Sequence, residues 1–370
     1  MQSLDNNTQV FFELVRAGLW EKGTRLVHYG KVDYEEVMRL SQEQSVVGLV
    51  TAGLEHVQDV RVPQAELLQF IGQSLQIEQT NSSMNSFLEI IVGKMRRAGI
   101  DTLLVKGQGI AQCYERPLWR MSGDIDFLLS LDNYKKAHVF LQPLAEHINE
   151  EDQSRLHLGM TINSWTVELH GTLHTRQLNR VNSVLDAVQE DVFKFGRVRV
   201  WRNESTDIYI PAPSHDCFFV FSHIIQHFFG GGIGLRQICD WCRLLWPYRD
   251  DIDRRLLEGW LKNAGLMSEW KAFAAFAVHF LGMPEKAMPF YSDTARWRHK
   301  ATRIAGIIME TGSFGHNSCQ DNKDNTSQFS RNIASLWRYT RDTVRLIRVF
   351  PVDSVRVWGN MIVYGLRNNL

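Results

Sequence analysis

The chain has 370 residues, 44% of them hydrophobic and 22% charged, and its 41 lysines and arginines balance 41 aspartates and glutamates. That length asks for more than one structural unit with sizeable cores, and the composition excludes a disordered chain. A formal net charge of zero provides no basic field to gather nucleic acid, which argues against a dedicated DNA or RNA binder.

Met1–Asn7 has no cationic stretch leading into an apolar one, so a cytoplasmic protein is expected. From Thr8 to about Gly72 the apolar residues, Phe11, Phe12, Leu14, Val15 and Leu19 among them, recur at helical spacing. Residues 1–80 therefore read as an N-terminal helical segment. Met84, Phe87, Leu88, Ile91 and Met95 then fall at i, i+3, i+4, i+7 and i+11, and Gly99 stands where a C-terminal cap belongs.

The period then changes. Thr102–Val105 and Asp124–Leu129 read as short strands, with a glycine turn and a short helix between them. Asp132 is placed to cap a helix to about Leu141, and Glu146–Arg155 reads as a polar loop. Leu156, Leu158, Met160 and Ile162 alternate with polar or small residues before the tight turn Asn163-Ser164 and the run Trp165–His170, a β-hairpin signal. Phe195–Trp201 and Asp207–Ile210 read as further strands, and Pro211-Ala212-Pro213 as a boundary.

Beyond it the pattern is helical, over Ser214–Phe229, Leu235–Trp246, Arg254–Ala264, Met267–Leu281, Ile333–Val349 and Val352–Arg367, with Asn317–Gln328 a polar loop. The most apolar stretches, Ser45–Leu54 and Cys217–Phe229, fall well short of the roughly 20 residues of a membrane span. The fold class expected is α+β: a small mixed sheet in residues 81–212, flanked by helical segments at 1–80 and 213–370.

Side chains on a strand repeat every second residue, so Gly123-Asp124-Ile125-Asp126 puts two carboxylates on one face. Like charges that close repel each other, and such a pair suggests a divalent cation, with magnesium suited to oxygen donors and phosphates. Solvated acids capping a strand end are the competing account. Upstream, Leu103–Gly107 ends a strand in a glycine that lets backbone amides approach a phosphate. Downstream, Glu168 shares a strand face with His170, while Val167 and Leu169 turn to the other.

Lys106-Gly107, Arg120, Gly123-Asp124-Ile125-Asp126 and Glu168-Leu169-His170, followed by His223–His227 and Leu235–Asp240, together resemble the uncharacterised nucleotidyltransferase family of the DNA polymerase beta-like superfamily. The resemblance covers about residues 80–245. It implies that Asp124 and Asp126 are paired Mg2+ ligands and that Glu168 is the third carboxylate, as a metal ligand or as the base for the acceptor. Lys106, Gly107, Gln108, Arg120 and Gly123 are then candidates to serve the nucleotide, and His170, His223 and Asp240 candidate substrate contacts; a salt bridge for Lys106 or Arg120, a hydrogen-bonded structural His170 and a helix-capping Asp240 are the competing accounts. Gln108 departs from the Gly-Gly or Gly-Ser turn usual in the superfamily. The reaction implied moves a nucleotidyl group from a nucleoside triphosphate, ATP among the candidates, to a hydroxyl on a small-molecule or protein acceptor. An inactive nucleotide-binding or interaction protein on the same fold is the alternative.

Two other patterns compete for chemistry. His223 and His227 have the i, i+4 spacing of a metal pair but lack the glutamate of a zinc hydrolase. Cys239-Asp240-Trp241-Cys242 has the spacing of a redox motif inside a helix, where buried thiols are the better account; Cys113, Cys217 and Cys319 complete an odd, sparse set of reduced cysteines.

Overall fold

A computed structural model describes residues 4–175, 178–312, 340–341 and 343–368. The polar stretch Asn317–Gln328, Cys319 and residues 333–339 and 342 of the helix expected at Ile333–Val349 lie outside the described residues. Four helices open the chain: α1 (Asn6–Trp20), α2 (Tyr34–Glu43), α3 (Val47–Glu55) and α4 (Gln64–Arg97). The last, 34 residues long, runs unbroken through position 80.

Then come β1 (Leu103–Val105), α5 (Gly107–Ala111), β2 (Ile125–Leu128), α6 (Leu131–Leu141), β3 (His147–Ile148), β4 (His157–Ile162), β5 (Trp165–His170), α7 (Asn179–Phe195), β6 (Val198–Asn203) and β7 (Thr206–Pro211). The helices α8 (Pro213–Gly230), α9 (Leu235–Leu245), α10 (Arg254–Asn263), α11 (Met267–Leu281), α12 (Ala295–Thr311) and α13 (Pro351–Asn368) follow. No helix among the described residues is long and apolar enough to cross a membrane.

The strands form one mixed sheet in the order β3-β4-β5-β2-β1-β7-β6, so the chain is α+β. At its centre β2 lies antiparallel to β1 and parallel to β5, with Asp126 paired to Val105 on one side and to Glu168 on the other. Alternation sorts the faces. Leu104, Ile125, Phe127, Val167 and Leu169 turn into a core cluster with α4 and α6. Leu103, Val105 and Leu128 turn the opposite way, into the larger core that the N-terminal and C-terminal helices share. Asp126, Glu168 and His170 alternate onto this second side.

Several elements differ from the sequence expectation. The strand expected at Phe195–Trp201 begins only at Val198, because a 17-residue helix, α7, precedes it and ends on Gly196 in the left-handed region at φ 59°. Its buried Val181, Val184, Leu185, Val188 and Val192 carry the same spacing as the core face of α4. The helix α6 is capped by Ser130, whose side chain accepts from the Asn133 amide, and Asp132 sits in its first turn, where a negative charge suits the helix dipole. The loop expected at Glu146–Arg155 contains the two-residue strand β3, paired to Met160 and Thr161. Asp124 lies one residue ahead of β2 rather than within it.

Candidate active site

A cleft of about 500 Å³ separates the second face of the sheet from α8 and α9. Every site residue expected from sequence lines it except Gln108. That side chain is buried, and its amide donates to Asn81 Oδ1 at 2.8 Å. Asn81, fully buried on α4, donates in turn to the carbonyls of Leu118 and Arg120, both at 2.7 Å. Gln108 thus helps α4 to hold the loop that leads into β2.

Arg120 performs a related task. It is buried and bound bidentately to Asp240 of α9, with Nε to Oδ1 and Nη2 to Oδ2 both 2.7 Å, and Tyr114 donates to the same Oδ1 at 2.7 Å. A guanidinium so engaged fixes its loop against α9. Arg236 was not singled out from the sequence; it is buried one turn before Asp240 and donates to the Met121 carbonyl at 2.8 Å. Gly123, the next residue but one, leaves its flank open towards that guanidinium: a Cβ there would stand 3.8 Å from Nη1 and Nη2.

Lys106 and Gly107 turn the chain from β1 into α5 with two successive positive φ angles, 60° and 45°. Lys106 has ψ −149°, a combination that essentially only glycine adopts freely, so its backbone is strained. The turn delivers Lys106 Nζ to Asp126 Oδ1 at 2.9 Å. His170 Nε2 meets the same oxygen at 2.9 Å and Glu168 Oε2 at 3.3 Å, and His157 Nε2 meets Glu168 Oε2 at 3.1 Å. All these contacts use Oδ1 of Asp126 and Oε2 of Glu168, which leaves the second oxygen of each carboxylate for another partner.

His157 was not anticipated, yet the sequence carried its signal. The turn residues Asn163 and Ser164 have φ 49° and 64°, as a two-residue hairpin turn with both φ positive requires, and the register that follows places His157 opposite His170.

The electrostatics separate the three acids. Burial works to raise the Asp126 carboxyl, but Lys106 and His170 outweigh it and hold it below the usual range. Burial likewise opposes ionisation of Glu168, and hydrogen bonds from His157 and His170 bring it well below that range. Asp124, at the exposed cleft mouth, goes the other way: desolvation by the cleft walls and the charges of Glu168 and Asp126 raise it. His170 is raised, its bonds to Asp126 and Glu168 overcoming burial. His223 and His227 face this floor from α8; burial and then the Lys106 charge lower His223 well below its ordinary value and His227 to about 4, so both are neutral at pH 7. Cys239 and Cys242 are buried inside α9, and burial pushes both thiols up, away from the thiolate a redox motif needs.

No curated protein and no solved structure compared with the chain returns a match. Residues 30–282, more than half of the chain and every strand and helix around the cleft, match the model of a family described as uncharacterised nucleotidyltransferase, and the protein belongs to that family.

Proposed function

We propose that the protein transfers a nucleotidyl group from a nucleoside triphosphate to a hydroxyl acceptor, with Asp124, Asp126 and Glu168 as the acids that hold magnesium. The observation that carries this reading is the gathering of these acids with the strained Lys106-Gly107 turn in one cleft of a nucleotidyltransferase family member. The donor set fits a hard cation: Asp124 bears charge that its neighbours repel, and Asp126 and Glu168 each keep an oxygen outside the contacts to Lys106 and the histidines. Magnesium bound there would neutralise phosphate charge and polarise the α-phosphorus.

The chain's own groups have separate tasks. The acceptor oxygen attacks the α-phosphorus and forms the new P–O bond; the bond to the bridging oxygen breaks, and pyrophosphate leaves with its electron pair. Lys106, on its turn beside Gly107, neutralises phosphate charge. Glu168 is too acidic to serve as an efficient base, so its part is to hold the cation. The acceptor's proton leaves to solvent at the open mouth of the cleft, because His223 and His227, lowered well below the ordinary imidazole value, are as weak bases as Glu168.

The test is transfer of label from each α-labelled triphosphate, with magnesium, to small-molecule and protein acceptors from a cell extract. Label should appear on one acceptor class, and Asp124→Asn should lower the rate by orders of magnitude. A parental rate in that variant overturns the assignment. Melting adds a binding arm: at hundredfold to thousandfold ligand excess over Kd, magnesium and the correct triphosphate should stabilise the parent by about 2–4 kcal/mol and Asp124→Asn by much less.

A further inference from the structure

His157, Glu168 and His170 stand outside the carboxylate pair and present a different chemistry. Their ligand atoms all lie within 4.8 Å of one another. Both imidazoles direct Nε2 at one carboxylate oxygen, at 3.1 and 3.3 Å, and the rings come from cross-strand partners whose centroids are 4.7 Å apart. Charge-assisted hydrogen bonds contract to about 2.7–2.9 Å, and these contacts are longer. Donors on a single tetrahedral ion, at metal–ligand distances of about 2.0–2.1 Å, stand about 3.3 Å from each other. The two nitrogen–oxygen separations, 3.1 and 3.3 Å, match that spacing, so the three groups can close round one ion with little movement.

We propose that His157, Glu168 and His170 form a site for a divalent ion of the zinc class, distinct from the magnesium site at the aspartates. Two imidazole nitrogens and one carboxylate oxygen suit zinc, cobalt or manganese, whereas magnesium prefers all-oxygen donors. Glu168 is the shared residue: both histidines contact it through Oε2, and Oε1 is assigned to the magnesium site. On binding the ion, His170 exchanges its bond to Asp126 Oδ1 for the ion, while Lys106 keeps Asp126 paired. The hairpin of β4 and β5 holds all three ligands, so the site is built by one local element and stands whether or not the cleft transfers nucleotides.

The experiment uses the full chain, freed of metal by chelation and without nucleotide. Zn2+ binding is measured by calorimetry in excess Mg2+, and Co2+ binding by its visible absorption. One Zn2+ and one Co2+ per chain should bind, unaffected by Mg2+, with the Co2+ bands intense as in a site of low symmetry. His157→Gln and His170→Asn should each weaken Zn2+ by at least about tenfold, and Asp124→Asn should leave it within twofold. Circular dichroism of each variant establishes folding; if one histidine variant does not fold, the other carries the comparison. Displacement by Mg2+, parental affinity in a folded histidine variant, or a loss in Asp124→Asn equal to that in His157→Gln overturns the proposal. Loss of nucleotidyl transfer with Zn2+ binding intact strikes only the reaction proposed above.

Discussion

The two aspartates of the Asp-x-Asp pair look alike in the sequence and have opposite roles in stability. Asp126 is buried and paired to Lys106 and His170, so Asp126→Asn leaves both cations short of a partner. Its folded carboxyl is lowered, so its contribution is present above the ordinary carboxylate pKa and disappears as pH falls through the folded value. Asp126→Asn should therefore destabilise metal-free protein near neutrality, on the order of 3 kcal/mol, with the gap closing on acidification. Asp124 is raised, and the repulsion it feels is present once pH exceeds its ordinary value. Asp124→Asn should melt at or above the parent near pH 7. Melting curves of both variants from pH 4 to 8 check this, and the same sign of shift in both would contradict the division. The sequence made the pair legible as an acid cluster. It could not reveal that Lys106 bonds directly to Asp126, because that depends on a backbone turn at a residue type that rarely adopts it.

Whole elements set where the loop ahead of β2 lies. Helices α1 and α3 cross through glycines: a Cβ on Gly18 would fall 1.9 Å from the Leu49 carbonyl oxygen, and one on Gly53 would fall 2.0 Å from that of Leu14. Gly48, on the same helix, leaves room for the Trp119 carbonyl, whose oxygen a Cβ would meet at 2.0 Å, and so brings the chain just before Arg120 against α3. Gly53→Ala should destabilise by about 3 kcal/mol or more, since backbone rather than a yielding side chain stands in the way. Gly72→Ala, exposed in the N-terminal third of α4 with open space around an added Cβ, should instead stabilise by up to about 1 kcal/mol. Denaturant midpoints of the two variants should move in opposite directions. Removing Asp240 from its bidentate pair, as in Asp240→Asn, should cost about 3–5 kcal/mol, because Arg120 is buried with it. Helical periodicity found α4, α8, α9 and α11, and it was equally present in α7, where Val181 to Val192 were passed over between two strand-like runs. The glycine crossings were not legible, since nothing local in a helix says which neighbour it will meet.

Across the molecule, the C-terminal helix is tied back through an acid held protonated. Arg180 of α7 binds Asp353 of α13 with Nη1 to Oδ1 at 2.7 Å and Nη2 to Oδ2 at 2.9 Å, and Glu269 of α11 shares a hydrogen bond with Asp353. Burial first, then Asp353, pushes the Glu269 carboxyl up to about 8 from the ordinary 4.5. A raised folded value means that this group's stabilisation is complete below about pH 4.5 and is lost as pH rises through 8. Glu269→Gln cannot ionise. Its melting temperature should gain on the parent's steadily between pH 5 and pH 9, and a constant difference would show that Glu269 does not titrate there. No short motif joins positions 180, 269 and 353, so only the fold brings this triad together.

The order of the strands governs when the cleft can exist during synthesis. The sheet centre needs Leu103 of β1 beside Tyr209 of β7, and its opposite wall needs α8 and α9. The N-terminal helices wait longer still, because Phe12 packs on Phe276 and the Trp20 indole donates to the Leu281 carbonyl across 261 residues of chain. Contacts of such separation form late and slowly. A ribosome that has released only the first two hundred residues therefore presents α1 with the apolar flank around Phe12 uncovered until residue 281 has emerged, which leaves the nascent chain open to aggregation. Force-pulse measurements on stalled chains of graded length should register a step only past that point.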